Sequence, residues 1–308
     1  MSSQVVIHNK SNTGSYSRMA TAFQQAAWEI NTTPSGLYDH NITLKTGDVT
    51  INGDELDLEF EIPFDDDTEA NEGRIVVYNL TTNTINAIKK NAAITITAGY
   101  GSDTGVIFSG YISKKTTRWV DNDKVTTIYA IDKNGKQETE LTQLSFGSGT
   151  KASKILKKLV ELLGLPVAVF QIKRDHTYKD KVTVDGGLMD NIKKYAQICG
   201  VTAYMCKSKV YVCPLSYGTH EIFYLTPETG LLSAEEFEEE IEAEDYTDKV
   251  TGLDIEMLLQ HKVQTGSIIN VSSRNAKGDY RVKEGCHYYD GNELITTVKA
   301  IAYSCIIK

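Results

Sequence analysis

Carboxylates crowd at Asp65-Asp66-Asp67-Thr68-Glu69, where acidic side chains could converge on a hard cation. The run lacks the D-x-D-x-D-G order and closing Glu of an EF-hand, so a solvated loop between strands is the plainer reading. Gly147-Ser148-Gly149-Thr150-Lys151 stands before a helical stretch and outwardly suggests a phosphate loop. A P-loop needs G-x-x-x-x-G-K-[ST]; here Ser148 alone separates the glycines and Ala152 follows Lys151, which leaves a loop and an N-cap. Gly99-Tyr100-Gly101 has neither the third glycine nor the following helix of a dinucleotide site and reads as a strand end.

The five cysteines are Cys199, Cys206, Cys213, Cys286 and Cys305, an odd number with no C-x-x-C pair. Even spacing of the first three invites a metal, but Cys199 falls late in a predicted helix while Cys206 and Cys213 fall on strands. Buried, unpaired thiols are expected. The six histidines, His8, His40, His176, His220, His261 and His287, form no H-E-x-x-H and no i,i+4 pair. No G-x-S-x-G elbow is present, and no Cys-His arrangement can be joined from sequence alone. Two carboxylates could still converge for glycan hydrolysis, but nothing in the spacing selects such a pair. No catalytic, cofactor-binding or metal-binding residue is assigned. Lys151, Lys154 and Lys158 give a basic helix face that could meet nucleic acid or an anionic surface. A solvated amphipathic helix also explains it, and the chain's net charge of −9 runs against nucleic-acid binding.

At 308 residues the chain is long enough for two or three cores. Hydrophobic residues make up 41% and charged residues 24%, within the ordinary range for folded domains. No apolar run approaches the roughly 18 residues of a membrane span. The start, Met1 to Ile7, lacks the basic and apolar regions of a signal peptide, so folding in a cytoplasm is expected. Residues 136–215 hold 13 basic and 7 acidic side chains, a net of +6, whereas the remainder carries −15. That contrast suggests a boundary at each end of the middle segment.

Ser15 to Ile30 places Met19, Phe23, Ala26, Ala27 and Ile30 at helical spacing, and Thr33-Pro34-Ser35-Gly36 ends the element. Alternating runs at Ile42–Leu44, Val49–Ile51 and Leu56–Ile62 predict strands, with Asn52-Gly53 as a hairpin signal. More strands are predicted at Ile75–Tyr78, Ile94–Ala98, Val106–Ile112, Lys114–Trp119 and Val125–Ile131, with Asp121-Asn122-Asp123 as a turn. The middle changes character. Lys151–Leu163 is an amphipathic helix capped by Thr150 and stopped by Gly164, and a second helix runs from Leu188 to Cys199. Val201–Cys206 and Val210–Cys213 then make a hairpin. Strands return at Asp248–Asp254, Ser267–Val271, Asp279–Lys283 and Ile295–Ala302. The acidic stretch Ser233–Asp245, with seven Glu, one Asp and an apolar side of Leu231, Leu232, Phe237 and Ile241, reads as a short helix. No convincing internal repeat is visible, although two β-rich ends flanking a mixed centre hint at two barrels of similar construction.

The fold class expected is mainly β (α+β): two antiparallel barrels flanking a small α/β domain. The domains are residues 1–135, a first barrel with an N-terminal helical segment; 136–215, the basic α/β domain; and 216–308, a second barrel with an acidic helical insertion.

Arg74-Ile75-Val76-Val77-Tyr78-Asn79-Leu80, then Ala98-Gly99-Tyr100 and Gly105-Val106-Ile107-Phe108-Ser109-Gly110, resembles the first barrel of tail hub proteins of contractile-tailed phages and R-type bacteriocins, the late control protein D-like hubs. Leu225-Thr226-Pro227-Glu228-Thr229-Gly230-Leu231-Leu232 resembles the stretch before the second barrel of such hubs. Gly266–Val271, Gly278–Val282 and Gly285-Cys286-His287 look like that barrel's closing strands. A departure is Thr265 where the family often has Pro, and the segment before Tyr38 has no match. The resemblance implies a structural, non-enzymatic protein of the virion or bacteriocin baseplate, assembled in the host cytoplasm. Its three copies would form a ring joining the sixfold tail tube to a threefold spike. Implied partners are the tube protein above, the spike or cell-puncturing protein below and wedge or sheath proteins outside. DNA would pass an acidic bore without specific binding, and no membrane insertion is implied. Two other readings stay open: a tail-associated peptidoglycan hydrolase on a hub scaffold, and the spike module of an injection or secretion apparatus.

Overall fold

The computed structural model describes residues 39–66, 71–132, 139–207, 209–214, 222–243 and 246–303. The predicted N-terminal helix, His8, His220 and Cys305 lie outside these residues. The first part contains β1 (His40–Thr46), β2 (Val49–Asn52), β3 (Leu58–Phe64), β4 (Glu72–Tyr78), helix α1 (Thr82–Ala87), β5 (Ala93–Tyr100), β6 (Asp103–Val120) and β7 (Asp123–Ile131). The middle has β8 (Glu140–Phe146), α2 (Ala152–Leu163), β9 (Val167–Phe170), β10 (Val182–Gly187), α3 (Leu188–Ile198), β11 (Thr202–Cys206) and β12 (Lys209–Cys213). The last part has β13 (Ile222–Leu225), β14 (Leu231–Ala243), β15 (Tyr246–Leu258), β16 (Ile268–Ser272), β17 (Lys277–Tyr289) and β18 (Leu294–Ala302). The molecule is mainly β, as the alternating runs require.

One 13-stranded sheet contains the strands of both the first and last parts, in the order β14-β15-β18-β17-β3-β4-β7-β6-β5-β1-β2, with β13 and β16 branching from β17. Alternation sets its faces. Leu58, Phe60 and Ile62 of β3 turn to a first core with Ile75, Val77, Ile94, Ile96, Ile112 and Ile128. Leu253, Ile255, Val282, Val298 and Ala300 build a second core with Phe223 and Val271. The two β units meet at β17–β3, where Gly285–Tyr289 pair antiparallel with Phe64–Phe60.

The two units repeat one topology. The order β3-β4-β7-β6-β5 matches β14-β15-β18-β17-β16, with the same hairpins in the same sequence. A bulge between Ile112 and Lys114 in β6 faces Ala130 and Tyr129, just as one between Val282 and Glu284 in β17 faces Ala300 and Lys299. This alignment superposes Thr126-Thr127-Ile128-Tyr129-Ala130-Ile131 on Thr296-Thr297-Val298-Lys299-Ala300-Ile301, with four of the six residues identical. An internal repeat is therefore present where the sequence alone only hinted at two barrels of similar construction.

Other expectations change too. The acidic stretch is no helix but the strand β14, paired residue by residue with β15. Asn52-Gly53 makes no hairpin: β2 folds back on β1 at Thr46↔Val49, so the turn is Gly47-Asp48, and the Gly53 amide bonds the Ile42 carbonyl instead. The runs Val106–Ile112 and Lys114–Trp119 are one strand, bent at the bulge.

In the middle part α2 buries Ala152, Ile155, Leu156, Leu159, Val160 and Leu163 against Ile192, Tyr195, Ala203 and Val212. Each fully buried Leu or Ile contributes roughly 1.5–3 kcal/mol. Gly164 ends the helix at φ 66°, a left-handed turn that costs glycine least. Thr150 does not cap α2: its hydroxyl donates to the Gly147 carbonyl. Asp175 does that work, accepting from the Ser153 amide at 3.0 Å and the Ser153 hydroxyl at 2.7 Å.

Candidate assembly surfaces

The residues weighed above for chemistry are dispersed. Asp66 is ion-paired, not solvated: its Oδ2 lies 2.9 Å from Nη1 of Arg281, whose side chain is 1% exposed. Asp65 uses its carbonyl to accept from the Thr265 hydroxyl at 2.9 Å. Among the described residues no His, Cys, Asp and Glu group could hold a metal ion, and no helix is long and apolar enough to cross a membrane. Cys199, Cys206 and Cys213 are buried and Cys286 is half-buried, each carrying a thiol. Burial pushes Cys206, Cys213 and Cys286 up to about 11, so they are poor nucleophiles near neutral pH.

Four histidines are within the described residues. His40 packs edge-on to Tyr100 and Tyr289, and His176 to Tyr178. His261 Nδ1 lies 3.8 Å from Asp103. His287, fully buried, has Nδ1 2.9 Å from the Thr296 hydroxyl, while Nε2 makes no hydrogen bond within the distance and angle limits of one among the described residues. Burial, then the charges of Lys207 and His261, holds its imidazole well below the ordinary 6.5. The one hydroxyl held against a histidine ring here, that of Thr296, is as fully buried as His287 itself.

What the sheet presents is surface. On the face turned from both cores, cross-strand pairs align Glu235 with Asp254, Asp254 with Lys299, Lys299 with Glu284, and Glu61 with Tyr288. Glu59 and Glu256 share that face by alternation. Further along, the same face carries Arg74, Lys114 and Lys45 among Thr95, Thr97, Thr116 and Thr127. It is a polar wall, acidic along β3 and the last unit and basic to neutral over the rest of the first unit. The middle unit adds a separate surface: Lys154, Lys157 and Lys158 of α2, and Lys151 just before it, are all exposed.

The middle unit is held to the β units through a polar junction. Arg281 of β17 sits 6.0 Å over the ring of Tyr204, which stacks on Tyr211 at 5.0 Å and 2°. Gln264 donates to the Tyr211 hydroxyl at 3.2 Å, and Lys207 to the His261 carbonyl at 2.6 Å. The sequence carried no signal for this junction beyond a lone Arg in an alternating strand.

A family profile described as baseplate hub gp41 matches residues 73–280. The chain belongs to the baseplate hub gp41 family. Solved structures agree on the fold of this hub family member. The 43 kDa tail protein of prophage MuSo2 from Shewanella oneidensis superposes with a TM-score of 0.64 at 10% identity, covering 86% of this chain and 99% of that one. The tail protein from Neisseria meningitidis MC58 gives 0.62 at 10% identity, covering 87% and 98%. The E. coli c3393 protein, a component of the type VI secretion system, gives 0.57 at 10% identity, covering 84% and 76%. No curated protein matches by sequence. The hub fold is thus shared by proteins of phage tails and of a secretion system.

Proposed function

We propose that this hub protein works as a structural ring of three copies, joining the sixfold tail tube to the threefold central spike of a phage or bacteriocin baseplate. The observation that carries this reading is the duplicated β unit. Three chains with two like units each give six near-equivalent sectors, which fits a sixfold neighbour on one side while retaining threefold symmetry for the other. The three units divide at residues 1–135, 136–215 and 216–308, the β units forming tube-like barrels that line the bore. The polar wall of Glu59, Glu61, Glu235, Asp254 and Glu256 faces that bore, where like charge keeps DNA from sticking as it passes. The basic α/β unit lies outside and meets acidic wedge or sheath proteins. The protein acts without catalysis, in a particle assembled in the host cytoplasm.

The mass of the purified chain by native mass spectrometry tests the reading. Association to three times the 34.1 kDa chain is expected. A stable dimer or hexamer, or a chain that clears peptidoglycan and loses clearing on one carboxylate substitution, would overturn it.

A further inference from the structure

One chain contains one completed seam and two unmatched halves of another. After its bulge, β17 pairs through Gly285–Tyr289 with β3: Gly285↔Phe64, Cys286↔Pro63, His287↔Ile62, Tyr288↔Glu61 and Tyr289↔Phe60. The repeat sets Lys115–Trp119 of β6 at the places of Gly285–Tyr289, one residue beyond the matching bulge. That segment has β7 on one side and, among the described residues, no strand on the other, because β5 stops pairing at Tyr111. Trp119 is 69% exposed there and Val120 is exposed too. The repeat also sets β14 at the place of β3. Phe60 pairs with Ile75 and Ala234 with Ile255, and Ile75 and Ile255 face the equivalent residues Ile128 and Val298. Phe60–Phe64 therefore correspond to Ala234–Glu238. Among the described residues β14 pairs only with β15, which leaves its outer edge open.

We infer that β6 of one copy pairs antiparallel with β14 of the next, in the register of the seam within the chain. Trp119 then lies opposite the next copy's Ala234, Arg118 opposite Glu235, Thr117 opposite Glu236, Thr116 opposite Phe237 and Lys115 opposite Glu238. The occupant is a second copy of this chain, and the argument for it is independent of symmetry in one respect. The register, set by backbone equivalence alone, brings both cations of the β6 segment opposite carboxylates of β14. Lys115 already bonds the carbonyls of Ile85 and Ile88, and Glu238 pairs with Lys249, so the discriminating pair is Arg118 with Glu235. Open strand edges invite pairing, and this contact closes both at once. The join is heterologous, head to tail, so it propagates to a ring.

The inference rests on the ring reading and is separated from it by two variants and a cross-link. Arg118→Glu and Glu235→Arg each place like charges opposite one another, and each is expected to weaken association about tenfold or more. The double variant restores it. Arg118 and Glu235 are both exposed, so neither change disturbs the monomer. As a second measurement, Thr116→Cys with Phe237→Cys in one chain gives, on oxidation, a disulfide-linked ladder ending at the trimer, absent from either single variant. A wild-type trimer that both charge variants leave intact and the cysteine pair fails to link overturns the seam and spares the ring. Loss of association in both single variants without rescue or cross-link also overturns the seam. A wild type that never trimerises overturns both.

Discussion

The guanidinium of Arg281 lies over the ring of Tyr204, so a strand of the last β unit and a strand of the α/β unit share one buried cation. Asp66, just beyond the end of β3, neutralises that cation, which draws the first β unit into the same contact. Arg281 Nε and Nη2 have no hydrogen-bond partner among the described residues, so the pair carries most of the compensation.

Removing the carboxylate alone is therefore expected to be costly. Asp66→Asn leaves a buried guanidinium unpaired and should destabilise the chain by about 3–5 kcal/mol. Urea unfolding checks this, and a midpoint equal to wild type would show that Asp66 does not hold Arg281.

His287 makes the fold sensitive to acid. Its folded-state affinity for protons is depressed, so the unfolded chain binds the proton more readily once pH falls below the ordinary 6.5. Stability is complete above that pH and is lost below it, at up to about 1.4 kcal/mol per pH unit from this group. His287→Gln should flatten the fall in melting temperature between neutral pH and pH 5. An unchanged slope would assign the acid sensitivity to other groups.

Gly105 has no room for a side chain. A Cβ built there falls 2.0 Å from Cδ2 of His261, a residue whose own nitrogen leans toward Asp103. Gly105→Ala should cost about 1–3 kcal/mol through overpacking. Thermal melting reads it, and His261→Ala in the same chain should recover part of the loss.

The two sides of α2 should respond in opposite ways. Replacing Lys151, Lys154 and Lys158 together by Glu should leave stability within about 1 kcal/mol, since all three are exposed. Leu159→Ala, at a fully buried position, should cost about 2–5 kcal/mol. Denaturant titrations of the two variants give the comparison.

Alternation made most strands legible, and the apolar spacing of Ile155, Leu156 and Leu159 made α2 legible. Misreadings occurred where partners far along the chain decide the outcome. In β14, Leu231, Phe237 and Ile241 lie near helical spacing and Glu favours helix, yet pairing with β15 overrides both. The Asn52-Gly53 signal yields because β2 sets Ile51 against Leu44 of β1 in the first core. The repeat was hidden because a shared strand pattern needs only an inward apolar residue at every second place. Tyr129 and Lys299, which point outward at matching positions, share nothing else. The Arg281 junction had no sequence signature, since its three parts come from distant segments.

The repeat also has a genetic consequence. A protein built of one unit must repeat every substitution at every sector of its assembly. In the proposed ring a mutation in β6 leaves β17 untouched, so the two kinds of sector can differ in side chains while sharing one backbone ladder. Tyr129 and Lys299 already differ in this way at matching ladder positions.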